Sequence, residues 1–178
     1  MVNYNKMPVR ILITGSPGTG KTTLIKRLIK RGHLSEAGGF YTEEIRKAQT
    51  RVGFKLVSLD GSFQAVLAHR DFSSPFRVGR YGVDVPGFEH FLDEISPSLD
   101  NAKMVVIDEI GKMECLSQRF LALLEELFNG PKDIIATVAL KGRGIIEDIK
   151  RRPDVLLFTI TEGNREEIFR RISGLLAR

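Results

Sequence analysis

A glycine-rich stretch, GSPGTGKTT from Gly15 to Thr23, separates an apolar run, Val9 to Ile13, from an amphipathic one, Leu24 to Ile29. This arrangement constrains the fold more than any other feature of the chain. It reads as strand, glycine loop, helix, and the loop fits the pattern G-x-x-x-x-G-K-[ST]. A loop of this kind aims its backbone N–H groups at an anion seated on a helix N-terminus. The phosphate-holding residues are then Gly15, Ser16, Pro17, Gly18, Thr19, Gly20, Lys21, Thr22 and Thr23. Lys21 would reach the β- and γ-phosphates of a nucleotide, and the Thr22 hydroxyl would ligate Mg²⁺.

The rest of the chain alternates in the same way. Met104–Asp108, Asp133–Leu140 and Val155–Ile160 read as near-continuous apolar strands, the signature of a parallel sheet covered on both faces. Helices are expected from Gly87 to about Ser96, from Ser117 through Phe128, over Gly144–Arg152 and from Asn164 nearly to Arg178. Ser117 suits an N-cap, and Asn164 with Glu167 suits a capping pair. Gly39–Ile45, Val52–Leu59 and Ser62–Ala68 read instead as an antiparallel β-meander, with Asp60-Gly61 as a hairpin signal. Phe72 to Pro86 is expected as a loop, and Met1 to Pro8 as a short, loosely ordered lead-in. The whole is expected as one α/β domain over residues 1–178, a mostly parallel sheet extended by the meander.

The second chemical signal is MVVIDEIGKME, Met104 to Glu114. Asp108 ends an apolar strand at the carboxyl edge, where ligands of open α/β sheets bind. It is placed to hold Mg²⁺ together with Thr22, and Glu109 beside it to polarise a water in line with the γ-phosphorus. Lys21, Asp108 and Glu109 are the expected catalytic residues. Lys112 is near enough to neutralise developing charge, although a lone lysine is more often a solvated one. Glu114 has the same ambiguity. Arg46, Arg77 and Arg80 are candidates for an arginine finger, each also at home as a structural residue.

Other chemistries are disfavoured. His33, His69 and His90 show no ligand spacing and no serine or cysteine partner. Cys115 is alone, which excludes a disulfide framework and fits a reducing, cytoplasmic setting. No secretory signal and no membrane span are expected, because every apolar run is short. The net charge of +5 suits a polyanionic partner, for which a nucleoside triphosphate suffices. Nucleic acid is a second possibility, resting on Lys26, Arg27, Lys30, Arg31, Lys141, Arg143, Lys150, Arg151 and Arg152. Their spacing between inward apolar residues equally describes a solvated helix face.

Five segments occur in order: GSPGTGKTTL, GGFYTEEIR (Gly38 to Arg46), VGRYGVDVPGFE (Val78 to Glu89), DEIGKME (Asp108 to Glu114) and GNREEI (Gly163 to Ile168). On these segments the chain resembles the small nucleoside-triphosphatase family first described in thermophiles, which has a human cancer-related member. The resemblance covers nearly the whole chain. It implies the three-layer P-loop NTPase fold, Mg²⁺ dependence, and slow hydrolysis of ATP, GTP and other nucleoside triphosphates to diphosphate and phosphate. It also implies a place for Asn164 and Arg165 near the base or ribose. Two rivals remain: a nucleoside or nucleotide kinase of the P-loop type, and a nucleotide-gated RNA-binding switch. Absence of an arginine-rich lid and the Asp108-Glu109 pair favour water as acceptor. An oligomeric motor would need a helical subdomain that the short tail after the last strand cannot supply.

Overall fold

The computed structural model describes residues 7–34 and 36–177. Most of the expected lead-in, residues 1–6, lies outside the described residues, as does Arg178. The strands are β1 (Arg10–Thr14), β2 (Ala37–Lys47), β3 (Thr50–Ser58), β4 (Gln64–His69), β5 (Arg77–Val78), β6 (Tyr81–Val83), β7 (Met104–Ile110), β8 (Asp133–Val138) and β9 (Leu156–Thr159). The α-helices are α1 (Lys21–Lys30), α2 (Val85–Asn101), α3 (Gln118–Asn129), α4 (Ile145–Lys150) and α5 (Arg165–Leu176). One nine-stranded sheet runs β5-β6-β4-β3-β2-β7-β8-β1-β9.

β2, β7, β8, β1 and β9 pair in parallel, and β3, β4, β6 and β5 extend them antiparallel from β2. Strand periodicity divides the parallel core. Ile11, Ile13, Val106 and Ile135 face the apolar stripes of α1 and α5, including Leu24, Ile25, Leu28, Ile168 and Ile172. Leu12, Val105, Ile107, Ile134 and Ala136 face α2, α3 and α4 on the other side. The three layers follow directly from that alternation. No helix among the described residues is long and apolar enough to cross a membrane.

β2 is the seam. Ala37–Phe40 pair with β7, while Tyr41 to Lys47 run on in antiparallel pairing with β3 alone. At about 3.3 Å per residue that overshoot reaches roughly 20 Å past the pairing with β7. Phe40 anchors the seam edge-on to Phe88 and Phe91, with ring centroids at 6.0 and 5.7 Å.

Three expectations are corrected. The stretch Phe72 to Pro86 holds a hairpin: Val78 pairs with Tyr81 across Gly79-Arg80, and Gly79 supplies the positive φ of 58° that a two-residue turn needs. The helix expected from Gly87 to Ser96 starts at Val85 and ends at Asn101. Asp84 caps it by accepting from the Gly87 N–H at 3.0 Å, and Pro86 sits in the first turn, where no N–H is missed. It continues through Pro97 because Leu99 prolongs the buried stripe of Phe91, Leu92 and Ile95. Finally, Asn164 precedes α5 without capping it: its side chain accepts from the Thr161 N–H and donates to the Thr159 carbonyl, fastening the β9–α5 turn. Ser117 does cap α3, accepting from the Phe120 N–H at 3.0 Å.

Candidate functional site

β1 delivers the chain to the glycine loop at the carboxyl edge of the sheet. Gly15 adopts a φ of 157°, and a Cβ there would lie 2.5 Å from the Ile160 carbonyl oxygen, so only glycine passes between β1 and β9. The loop then closes on itself. The Thr19 N–H and hydroxyl both donate to the Ser16 carbonyl, at 3.3 and 2.8 Å. The Lys21 ammonium donates to the Gly15 carbonyl at 3.0 Å and to that of Ser16 at 3.4 Å. Gly20 takes the left-handed conformation before α1, with φ of 95°. α1 has no side-chain cap and no acidic residue in its first turn. Its first N–H groups and the positive end of its dipole are therefore left for an anion.

β7 brings the carboxylates to the same edge. Asp108 is 1% exposed. Its carboxylate accepts from the Thr137 hydroxyl of β8 and, at 3.5 Å, from the Thr42 N–H of β2, and the Thr22 hydroxyl is close by. Burial pushes the Asp108 carboxyl up, while those donors and the Lys21 charge oppose it. Glu109 is also pushed up by burial, against the pull of Lys21 and with the push of Asp108. Glu114, 5% exposed, rises to about 8 because it is buried and because Glu109 is charged nearby. Both glutamates flank Gly111: a Cβ there would stand 2.8 Å from a Glu114 oxygen and 3.4 Å from one of Glu109. Two carboxyls this close ionise in sequence rather than together.

One cleft of about 770 Å³ joins the two segments, its lining including Pro17, Gly18, Gly20, Lys21, Thr22, Thr23, Glu109, Lys112 and Glu114 but not Gly15, Ser16, Thr19 or the buried Asp108. The structure thus brings the loop and the Asp108–Glu114 segment together. Lys112 is exposed on the wall. Arg165 does not line the cleft. Its guanidinium donates to the Thr19 carbonyl at 2.7 Å and would lie 3.4 Å from a Cβ at Gly20, bracing the loop from behind. The three arginines singled out from sequence are held elsewhere. Arg46 pairs with Glu44 and donates to the Gln49 carbonyl. Arg77 donates to the Phe72 and Arg80 carbonyls, and Arg80 to the Arg51 carbonyl and the Tyr81 hydroxyl.

The arginine that does line the cleft is Arg51 of β3, which sequence reasoning passed over. It donates to Glu44 at 2.9 Å and to the Tyr81 hydroxyl at 3.2 Å, and lies 5.1 Å from the centre of the Phe54 ring. Thr42 and Thr137 were missed as well. Nothing in a linear motif marks these residues: strand pairing places them opposite Asp108 and the loop. Several of the basic residues are engaged within the protein: Lys26 with Glu43, Arg27 with Glu166, Lys150 with Glu147, Arg152 with Asp154.

The donors near Lys21 are hydroxyl and carboxylate oxygens, hard ligands of the kind Mg²⁺ takes. The Thr22 hydroxyl lies close enough to the Asp108 carboxyl to pull its pKa down, so one small ion could be shared between them. No cluster of three or more His, Cys, Asp or Glu able to hold a metal occurs among the described residues. Burial and the neighbouring Glu114 push the Cys115 thiol up to about 12, too high for a nucleophile.

Residues 10–173 match a family model described as NTPase. The chain is 43% identical over 169 residues to the nucleoside-triphosphatase THEP1 of Thermotoga maritima, covering 94% of this chain and 95% of that one. Its structure is similar to the crystal structure of THEP1 from Aquifex aeolicus, with a TM-score of 0.87 and 35% identity over 96% of this chain and 100% of the other. It is similar also to the solution structure of a human cancer-related nucleoside triphosphatase, with a TM-score of 0.76 and 34% identity over 94% and 97% of the two chains. Matched by the family model over residues 10–173 and by these relatives along nearly its full length, the chain belongs to this NTPase family.

Proposed function

We propose that this protein hydrolyses the β–γ bond of Mg²⁺-bound nucleoside triphosphates, giving diphosphate and phosphate. The observation that carries the reading is the meeting of Lys21, Thr22 and Glu109 in a single cleft at one edge of the sheet, with the buried Asp108 close to Thr22 and Lys21. The N–H groups of Gly15 to Thr22 and the start of α1 bind the phosphate oxygens. The Lys21 ammonium leaves the loop carbonyls for the β- and γ-oxygens. Thr22 and Asp108 would hold Mg²⁺, which when bound neutralises charge on those oxygens. Glu109 orients the attacking water and takes its proton. Its burial beside Lys21 suits this, because a carboxylate with a raised pKa is a better base. Catalysis is positioning and charge stabilisation, since phosphoryl transfer asks for little covalent help.

Broad use of bases fits the names of the relatives, which specify nucleoside triphosphates and no base. A cytosolic setting fits the lone Cys115. The test is phosphate release from ATP, GTP, CTP and UTP by purified protein, with Mg²⁺ and with chelator. Release from all four, lost with chelator, is the expected result. Release from one base alone would remove the breadth, and release undiminished by chelator would remove the metal.

A further inference from the structure

The cleft does not end at the phosphate site: part of it lies on the loop, where the triphosphate sits, and part runs on past Glu109, where hydrolysis needs room for one water only. An attacking water takes up about 30 Å³ of liquid volume. The cleft of about 770 Å³ starts at the loop and, beyond Glu109, continues between the overshooting β2–β3 hairpin and the segment after β7. It does not extend to Asn164 and Arg165, which are not among its lining residues. With the phosphates on the loop, Glu109 stands on the side from which an acceptor must approach the γ-phosphorus. The space beyond Glu109 is therefore acceptor space.

The walls of that space select chemistry. Phe54, Val78, Met113 and Ala139 give it an apolar lining, and Phe54 offers a ring. Its charges are already answered or negative. Arg51 is paired with Glu44 at 2.9 Å, while Glu109 and Glu114 present carboxyl groups. A second anion would meet Glu109, while Lys26 is already paired with Glu43 and Lys21 is given to the nucleotide phosphates, which leaves the exposed Lys112 to offset it. An uncharged ring molecule meets no such cost and can pack on Phe54.

We propose that this compartment is an acceptor site for an uncharged molecule joining a flat ring to a primary alcohol, the nucleoside class, whose hydroxyl takes the γ-phosphoryl group in place of water. The inference rests on the nucleotide orientation of the proposed hydrolysis. The alcohol oxygen bonds to the γ-phosphorus as the bond to the β–γ bridging oxygen breaks. The electron pair leaves with the diphosphate, and the alcohol proton passes to Glu109 and then to solvent. Water enters the same position when the compartment holds no alcohol, so hydrolysis and transfer compete.

The test gives the full chain γ-labelled Mg²⁺-ATP together with a panel of purine and pyrimidine nucleosides. The expected result is a labelled phosphomonoester of at least one nucleoside, with free phosphate falling several-fold as that nucleoside saturates. Phe54→Ala should raise the KM of that nucleoside about ten-fold, and raise it more than the KM of ATP. Because Phe54 also packs edge-on to Tyr81, Val78→Phe provides a second variant, narrowing the compartment from β5 with the same readout. Unchanged phosphate release with every nucleoside, and no labelled ester, would overturn the acceptor site and leave the hydrolase intact. Equal shifts of both KM values in both variants would also overturn it. Neither release nor transfer from any mixture would overturn the hydrolase reading itself.

Discussion

The two halves of the sheet meet at β2 and obey different rules. In the parallel half, β1 and β8 are buried on both faces, and their residues split between two helical layers. In the antiparallel half, α2 packs across β2 and β4, while Val66 of β4 remains 38% exposed. The parallel half ends in the groups to which the proposed chemistry is assigned, the glycine loop after β1 and the carboxylates of β7. The antiparallel half ends in shape, with Arg51, Phe54 and Val78 forming a wall. The doubly covered inner strands of the parallel half, unlike its edge strand β9 with Leu156 and Leu157 at 46% and 41% exposed, carry the loop and the carboxylates, and the less covered β4 leaves room for variation in what the cleft admits.

Lys21→Ala should break the contrast most sharply. It removes a charge that touches both ground and transition states, so kcat/KM for Mg²⁺-ATP should fall at least ~100-fold and affinity should fall with it. Steady-state kinetics and equilibrium binding measure both. Ile135→Ala, at the centre of the parallel half, should cost about 2–5 kcal/mol in denaturant unfolding, because a 0%-exposed isoleucine leaves a cavity between β8 and α1.

Glu114 tests the seam through pH. Its folded pKa of about 8 lies above the ordinary carboxylate value of 4.5, so between those values the folded state holds a proton that the unfolded chain has lost. Its contribution therefore makes stability fall as pH rises from about 5 to 8 and level off above. Glu114→Gln should flatten that slope, by on the order of 2 kcal/mol between pH 6 and 8, in melts taken across the range. Val66→Ala, in the antiparallel half, should cost less than about 0.5 kcal/mol in the same unfolding assay. A loss matching that of Ile135→Ala would mean that the two halves are equally well covered.

The same division governs what can be read from the sequence. Placement set by consecutive residues was legible: the Gly15 to Thr23 loop between β1 and α1, Asp108-Glu109 on β7, and the Ser117 cap all stand where their local patterns put them. So did the meander, because Asp60-Gly61 and the alternating runs on either side specify it locally. The β5–β6 hairpin was missed because its strands are too short to show a period. Even so, Gly79 between Val78 and Tyr81 carried the turn signal. Pro97 disguised the true length of α2. Thr42, Thr137 and Arg51 were out of reach for a different reason. They approach the site through strand pairing, and cross-strand register is not written in any linear motif.

The central claim is that the carboxyl edge of the parallel half both binds the nucleotide and activates the attacking group. Glu109→Gln keeps the shape and removes the base. Binding of Mg²⁺-ATP and release of phosphate, measured on the same preparation, test the claim most directly. Affinity within about two-fold of wild type with turnover reduced ~100-fold or more is the predicted result. Wild-type turnover in that variant would contradict it and take Glu109 out of the reaction.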